Sequence, residues 1–277
     1  MAETKMNVQL IAHTQLNEKF YRSLNYGNYD VILGCFDGNH VEDHDVTDGQ
    51  AVALTAIRTC YSANKPSEIV AKEGAKYFGS KASDGGAGTD ADRLFRHIVR
   101  SGHSSTLEHI SFTFAIEGVS RALLAQLTRH RVGFSFSVQS QRYVRMGSDD
   151  KIGGFDYVVP DKVTSDKTAN MYDFVYGAPI TDRPATEIFA EAMEIAQQAY
   201  DKLREAGVPA EDARAVLPNA AATNLVMTAN LTALLSFYSK RRSGKGAQKE
   251  ISDLAELLRR EVESVEPWTS QFFKAAG

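Results

Sequence analysis

The sequence predicts an α+β fold in a single domain spanning residues 1–277, and three observations support this class. Segments with strand and helix periodicity follow one another in a mixed order. Apolar residues make up 43% of the chain, enough for a substantial core. No internal repeat or linker divides the sequence. No segment approaches the roughly 20 apolar residues needed to cross a bilayer, and the apolar run near the N-terminus is too short for a signal peptide. We therefore expect a cytoplasmic protein.

The N-terminal half is predicted to alternate strands and helices. Helix caps and hydrophobic spacing define the boundaries. The predicted elements are a strand over Val8 to Ala12, a helix from about Gly49 to Tyr61 with Val52, Leu54, Ile57 and Tyr61 facing inward, a helix capped by Thr89 or Asp90 and ended by Gly102, a strand through Phe112, Phe114 and Ile116, and a helix capped by Ser120 that reaches about Thr128.

The C-terminal half is predicted to be richer in helix, and its boundaries rest on glycine and proline signals. The predicted elements are a strand through Phe134, Phe136 and Val138, an extended segment at Tyr143 and Val144, a strand from Phe155 to Val159, the longest helix over Pro184 to Ala206, a short helix from Pro209 to near Pro218, a strand from Leu225 to Thr228, and helices over Leu231 to Lys240 and Ala247 to Val262.

Two features fit no regular pattern. Residues 16–50 contain scattered glycines and an acidic run, so we expect an irregular insertion with room for one hairpin. The two cysteines, Cys35 and Cys60, lie outside any CxxC pair, which disfavours a disulfide framework or a zinc knuckle. We expect both to be small buried thiols.

Charge is distributed unevenly along the chain. The net charge of −4 disfavours general nucleic-acid binding. Yet residues 118–148 contain no Asp or Glu and five Arg without a Lys, and residues 213–249 are acid-free and basic as well. Two such segments in an acidic protein indicate a focused anion site. The use of Arg alone in the first favours planar, bidentate recognition of a phosphate or a heterocycle edge.

The triplet Arg129-His130-Arg131 lies within the first acid-free segment. On a strand, the two guanidinium groups would share one face and His130 would point to the other. Adjacent guanidinium groups repel each other unless an anion lies between them, so a diphosphate or a flavin edge would suit them. The alternative is a pair of surface arginines on a solvated face.

Ser140-Gln141-Arg142 combines a hydroxyl, a loop amide and a guanidinium group, which can converge on one phosphate. Ser140 could instead be a nucleophile, with His130 as the only base nearby in sequence. However, no G-x-S-x-G surrounds it. Rossmann and Walker glycine loops are also absent from the sequence, so a bound dinucleotide would need another cradle.

Residues 102–109 and 230–242 offer further polar groups. The first is a turn with His103, Glu108 and His109, and it is read either as a hydrogen-bonded structural turn or as a metal site completed by His130. In the second, Asn230 caps a helix whose C-terminus carries Arg241-Arg242. Cations there either bind an anion or simply complement the helix dipole.

Taken together, these segments resemble the flavin-dependent thymidylate synthases (the ThyX family). That family is marked by Arg-His-Arg, a spacer of seven or eight residues, and Ser-x-Arg-Tyr; here the triplet is followed by residues 132–139 and then Ser140-Gln141-Arg142-Tyr143. The similarity extends to the turn at 102–109, to Ala213 through Pro218, to Asn230 with Arg241, and to Pro267-Trp268-Thr269.

The resemblance implies a central sheet flanked by helices, a homotetramer with active sites shared between subunits, and conversion of dUMP to dTMP. FAD is then the bound cofactor, with NADPH and methylenetetrahydrofolate as co-substrates. It implies FAD contacts from Ser105, Arg129, His130, Arg131, Asn230 and Ser236, with His103 and Glu108 nearby. It implies dUMP contacts from Gln126, Gln139, Ser140, Gln141, Arg142, Arg214 and Arg241.

Arg241 is then the catalytic residue, because a cation beside uracil N3 stabilises its anion. Helix register from Asn230 selects Arg241, whereas counting back from Ala247-Gln248 selects Arg242. The register between Val132 and Gln139 is also open by one residue, and Ser236 replaces a residue that is often Asn in the family. The alternative function is a non-catalytic nucleotide- or RNA-binding protein that uses the Arg-rich segments.

Overall fold

A computed structural model describes residues 1–24, 46–173 and 178–275 of the chain. Its centre is an antiparallel sheet of four strands in the order β1-β2-β6-β3. The four strands are β1 (Asn7–His13), β2 (Ser111–Ser120), β3 (Phe134–Val138) and β6 (Ala222–Asn230). Four strand predictions are thus confirmed in place, although β6 is longer than expected.

The two faces of this sheet differ sharply in burial, as strict alternation of side chains requires. Paired rows such as Leu10, Phe114, Met227 and Phe136 point into the main core. The rows on the other face are small or polar, for example Gln9, Ala115, Val226 and Ser137. Within the described chain Val226 is 41% exposed although it lies on an inner strand of the sheet. One face of the central sheet is therefore open.

Helices cover the buried face. They are α1 (Glu18–Leu24), α2 (Asp48–Thr59), α3 (Ile69–Phe78), α4 (Asp90–Arg100), α5 (Arg121–Leu127), α8 (Leu231–Arg241), α9 (Lys249–Val265) and α10 (Ser270–Ala275). The predicted caps are present: Thr89, Ser120 and Asn230 each accept a backbone N–H of the helix that follows. None of the described helices has the length and hydrophobicity to span a membrane.

A second, smaller core lies beside the first. It joins the segment from Met146 to Phe155 to α6 (Ala185–Glu205) and α7 (Ala210–Ala213), with Tyr200 fully buried at its centre. Buried Gln197 accepts the N–H of Phe155 (2.9 Å) and donates to the carbonyl of Met146 (2.9 Å). A two-stranded sheet, β4 (Thr168–Asp173) and β5 (Ala178–Pro184), precedes α6.

Several predictions were wrong. Residues 143–144 form a turn, and residues 155–159 contribute only isolated bridges at Tyr157, because this segment packs through side chains into the second core. Helix α3 and the β4–β5 pair were not predicted. Tyr61 is 59% exposed and Cys60 is exposed, because both lie beyond the last turn of α2. In the segment 16–50, α1 and the start of α2 are helical, and residues 25–45, with Cys35, lie outside the described residues.

Glu266 ties the C-terminal segment to α2. Its side chain is 1% exposed, and it accepts hydrogen bonds from the Thr47 hydroxyl, the Gly49 N–H (3.1 Å) and the Trp268 indole N–H (2.5 Å). Burial raises the pKa of this carboxyl, and the hydrogen bonds oppose the shift. A carboxylate at a helix N-terminus is also favoured by the orphan N–H groups there.

Replacing Glu266 by Ala should lower the free energy of unfolding by about 3 kcal/mol, because three donors that it satisfies lose their acceptor. Chemical denaturation monitored by Trp268 fluorescence measures the change. Glu194→Ala, at an exposed position of α6, is the matched control. A loss no larger than that of the control would show that Glu266 does not hold the two segments together.

Candidate functional site

The two acid-free segments meet in the structure. Strand β3 from the first pairs along its whole length with β6 from the second. Beyond the strands, Arg241 at the end of α8 donates from Nε to Nε2 of His130, at 3.1 Å. The two acid-free basic segments of the sequence are therefore neighbours in the fold.

The Arg129-His130-Arg131 triplet lies in the turn between α5 and β3, so the side-chain alternation considered for a strand does not apply to it. The turn is tight at Gly133, whose φ of 74° favours glycine. A Cβ there would approach Cβ of Ala233 and Nδ2 of Asn230 to 2.7 Å. Gly133 therefore lets the triplet close against the start of α8.

His130 is half-buried among aromatic rings and cations. Its ring makes an edge contact with Phe237, with centroids 4.9 Å apart. Burial first, and then the charges of Arg241, Lys240 and Arg129, lower the pKa of His130. The imidazole is therefore neutral at pH 7. Because its Nε2 accepts from Arg241, its proton is on Nδ1.

Arg129 and Arg131 flank this neutral ring, and both side chains are exposed. Within the described parts of the chain, neither guanidinium group has a carboxylate within 4.0 Å. Two unpaired guanidinium groups on one short turn form a donor set that suits a diphosphate or another anionic group.

The turn at 103–108 packs against the start of α8. Thr232 donates its hydroxyl to the carbonyl of Ser104 (2.7 Å), and Leu231 N–H donates to the carbonyl of Ile110 (2.8 Å). Asn230, between the two loops, uses its side-chain oxygen to cap α8. Ser105, Glu108 and Ser236 are exposed, and none of them has a described side-chain hydrogen bond.

A cavity of about 710 Å³ opens beside this turn. The apolar side of its wall includes Leu16, Phe20 and Val52, and the polar side includes His103, Ser105 and His109. Nδ1 of His103 lies 3.0 Å from the Tyr61 hydroxyl, a partner that the sequence analysis missed. Mostly apolar walls with a few polar groups are typical of a site for a flat organic ring.

Gln139, Ser140, Gln141 and Arg142 lie at the opposite end of β3. Gln139 accepts from Asn224 Nδ2 (3.2 Å), and the Ser140 hydroxyl accepts the N–H of Arg142 (3.2 Å) in a local turn. Gln141 is only 7% exposed, and its side-chain nitrogen has no partner among the residues that the structure describes. A buried donor without an acceptor is unfavourable, and a ligand oxygen would satisfy it.

Arg142 and Arg214 both contact Glu211, a residue that the sequence analysis overlooked because it lies just outside the acid-free segment. Arg142 pairs with its carboxylate (2.5 Å), and Arg214 donates to its backbone carbonyl (2.9 Å). Burial, followed by repulsion from Arg214, lowers the pKa of Arg121. Arg121, Arg142 and Arg214 thus put several cations at this end of the sheet, and such charge favours a phosphate.

Residues at the start of α9 form hydrogen bonds with segments on both sides of the site. Gln248 accepts from Gln126 (2.7 Å), and Glu250 accepts the N–H (2.7 Å) and hydroxyl (2.6 Å) of Ser120, the cap of α5. Ser252 donates its hydroxyl to the carbonyl of Arg241 (2.8 Å). Gln248 and Glu250 occur in the sequence segment that suggested Arg242, but only the fold shows what they contact.

The geometry decides between several alternatives. A strand of five residues spans roughly 15 Å. Ser140 and His130 lie beyond opposite ends of β3, so the alternative of a serine–histidine pair is excluded within one chain. Among the residues with described positions, no three His, Cys, Asp or Glu side chains form a group that could hold a metal ion. His103, His109 and His130 therefore form no metal site there.

Arg241 is hydrogen-bonded to His130 of the triplet. The charge of Arg242 instead acts on Tyr238 and lowers its pKa. Burial and a hydrogen bond to Glu256 have a larger effect, so the pKa of Tyr238 is raised overall. The two consecutive arginines therefore face different neighbours.

Comparison with known proteins identifies the family. Residues 42–268 match the family described as thymidylate synthase complementing protein. The chain is 37% identical over 230 residues to the flavin-dependent thymidylate synthase of Geobacter sulfurreducens, with 83% of each chain covered. It is 34% identical over 244 residues to that of Clostridium tetani, with 82% of each covered.

Solved structures show the same fold at lower sequence identity. The UMP/dUMP methylase PolB from Streptomyces cacaoi, bound with 5-Br dUMP, gives a TM-score of 0.63 at 21% identity, covering 99% of this chain and 97% of that one. Thymidylate synthase X from Helicobacter pylori, with FAD and dUMP, gives 0.58 at 22% identity, covering 98% and 99%. The sequence motif, the sheet that carries it and these matches agree: the chain belongs to the flavin-dependent thymidylate synthase family.

Proposed function

We propose that this protein methylates dUMP to dTMP with bound FAD, taking the carbon from methylenetetrahydrofolate and the reducing equivalents from NADPH in the cytoplasm. The observation that carries the proposal is the position of the family motif on β3. The turn before the strand carries two guanidinium groups that have no carboxylate partner among the described residues, and the turn after it carries Ser140 and Arg142. The Arg-rich segments therefore serve a small-molecule site, not an RNA surface.

The residues around Arg129-His130-Arg131 fit a flavin nucleotide. Arg129 and Arg131 supply unpaired cations for its diphosphate, and the NH₂ group of Asn230 stays available because only its oxygen caps α8. Exposed Ser105, Glu108 and Ser236 and the ring of His103 complete the proposed FAD contacts. When bound, FAD supplies the hydride chemistry, which no side chain can provide.

The other end of β3 fits the phosphate of dUMP. Arg142 and Arg214 flank Glu211, and a phosphate dianion would compete with that single carboxylate for Arg142. Ser140 can donate its hydroxyl, and Gln141 brings the buried side-chain nitrogen that has no partner. Gln126 is hydrogen-bonded to Gln248, and Gln139 is hydrogen-bonded to Asn224. Both glutamines complete the proposed nucleotide contacts.

Arg241 is the proposed catalytic residue. Methylation requires the uracil ring to become nucleophilic at C5, and negative charge at N3 promotes this. A fixed guanidinium group beside N3 stabilises that charge where it develops. Arg241 keeps Nη1 and Nη2 available because it uses Nε to bond His130.

We further propose a homotetramer whose active sites are shared between subunits. In one chain, Arg142 and Arg241 lie toward opposite ends of a strand about 15 Å long, which is too far for both to contact a single nucleotide readily. The open face of the central sheet, with Val226 and Ile11 exposed, offers a surface for a second copy. One nucleotide would then receive Arg142 from one subunit and Arg241 from another.

The purified protein should be yellow, or become so when FAD is added. Its flavin absorbance should bleach with NADPH under anaerobic conditions and return on admission of air, because a bound flavin accepts hydride and reoxidises with oxygen. Visible spectroscopy measures this. A protein that stays colourless after incubation with FAD would contradict the proposal.

Two variants should separate binding from turnover. Arg142→Ala should weaken dUMP binding by about 1.5–3 kcal/mol, or roughly 10- to 100-fold in Kd, because it removes a charge-assisted contact. Arg241→Ala should lower kcat roughly 100-fold or more, because it removes charge stabilisation in the transition state. Calorimetry and steady-state kinetics measure the two effects.

Arg242→Ala is the matched control, since Arg242 follows Arg241 directly in the chain. It should leave kcat within about twofold of wild type, because its charge acts on Tyr238 and the proposed catalytic contact belongs to Arg241. If Arg242→Ala abolished turnover and Arg241→Ala did not, the assignment by helix register would be rejected.

Mixing the two variants tests the shared site. If Arg142 and Arg241 reach one nucleotide from different subunits, mixed tetramers of Arg142→Ala and Arg241→Ala contain some sites with both arginines intact. Activity should therefore rise well above that of either variant after subunit exchange, as measured by dTMP formation. Light scattering gives the oligomeric state. A monomeric wild type, or no recovery despite exchange, would count against shared sites.

A further inference from the structure

Arg241 is the last residue of α8, where a long side chain would ordinarily be free to rotate. A fixed guanidinium group needs anchors, because ordering such a side chain costs up to about 2 kcal/mol of conformational entropy. Arg241 has one anchor on its backbone and another on its guanidinium group. The Ser252 hydroxyl holds the backbone carbonyl of Arg241 (2.8 Å), and Nε2 of His130 accepts from the guanidinium Nε (3.1 Å).

His130 is itself fixed by its surroundings. Its backbone N–H donates to the carbonyl of Leu127 (3.0 Å), and its ring packs edge-on against Phe237 and, at 6.1 Å between centroids, beside Phe134. The aromatic rings come from α8 and β3, the two elements that border the triplet. An imidazole held on several sides is suited to orient a flexible partner.

We propose that His130 is a positioning residue for Arg241, which it holds through Nε2 so that the terminal nitrogens of the guanidinium group face the nucleotide base. This role replaces the flavin contact that the resemblance implies for His130, since its ring contacts Arg241, Phe134 and Phe237. It rests on the proposed function, because it assigns Arg241 to the base of dUMP. Removing His130 should then impair turnover through Arg241 while the bound flavin is retained.

The charges around His130 make this contact sensitive to pH. The charged groups that face it are Arg241 and Lys240 on α8 and Arg129 in its own turn, and all three are cations. Together with burial they lower the pKa of His130 below its ordinary value of about 6.5. The contact is therefore intact at neutral pH and is lost as the pH falls through that lowered pKa, because a protonated imidazole cannot accept a hydrogen bond.

The first experiment compares His130→Leu, which removes the acceptor, with His130→Gln, whose amide oxygen replaces Nε2 and does not titrate. At pH 8, His130→Leu should lower kcat roughly 10- to 100-fold, with flavin content and the Kd for dUMP within about twofold of wild type. His130→Gln should restore most of kcat and lack the acid limb that the wild type shows below about pH 6.5. His97→Leu, an exposed histidine on α4, is the control and should match wild type.

A double-mutant cycle with Arg241→Ala provides the second readout. If His130 acts through Arg241, His130→Leu should have little further effect on kcat in the Arg241→Ala background. Loss of flavin from His130→Leu, additive effects in the cycle, or an acid limb that persists in His130→Gln would each overturn the proposal. A wild-type protein that binds flavin but forms no dTMP would instead refute the proposed function, so the two failures are distinguishable.

Discussion

The pairing of β3 with β6 is the constraint on which the site depends. β3 is only five residues long, and β6 pairs with all of it. Because strand length is fixed by backbone geometry, this pairing sets the separation between the Arg-His-Arg turn and the Ser-Gln-Arg turn. β6 runs antiparallel to β3, so the chain enters it from the side of Arg214 and leaves it at Asn230. The β3–β6 pair therefore places the Arg-His-Arg turn and Asn230 at one end of the sheet, and the Ser-Gln-Arg turn and the approach from Arg214 at the other.

Each end is then stabilised by its own packing. The second core, centred on Tyr200, brings the segment after Arg142 against α6 and α7, and α7 leads directly to Arg214. Gln248, Glu250 and Ser252, at the start of α9, link the two ends, because they bond α5, Ser120 beside the start of β6, and the end of α8. Most contacts of this kind are to backbone or neutral groups, so the arginines themselves remain available for ligands. The fold thus fixes positions, and among the described residues it leaves Arg129 and Arg131 without a carboxylate partner while Arg142 pairs with Glu211.

Much of the fold could be predicted from the sequence because its signals are local. Thr89, Ser120 and Asn230 cap helices as predicted, and Phe112, Phe114 and Ile116 alternate inward on β2. Where a segment packs by long-range contacts the prediction was wrong: residues 155–159 contain a strand-like pattern, yet Phe155 enters the second core instead of a ladder. Helix α3 begins after a short 3₁₀ turn at Pro66 and has no N-terminal side-chain cap, so its start lacks the usual signal.

The site was predictable as a set of residue types, but not as a set of contacts. The spacing of the motif identified the arginines, whereas the roles of Glu211, Gln248 and Ser252 depend on tertiary approach between segments more than 65 residues apart or on neighbouring helices. The choice between Arg241 and Arg242 shows the difference. Two sequence registers were possible, and in the structure the guanidinium group of Arg241 donates to His130.

A single-turnover experiment tests whether the bound flavin delivers its reducing equivalents to dUMP. The protein is loaded with FAD, reduced with one equivalent of NADPH under anaerobic conditions, and mixed with dUMP and methylenetetrahydrofolate. We expect the flavin absorbance to return without oxygen, with about one dTMP formed for each flavin reoxidised, because the proposed function passes the reducing equivalents to the nucleotide. Flavin that stays reduced while no dTMP forms would contradict it.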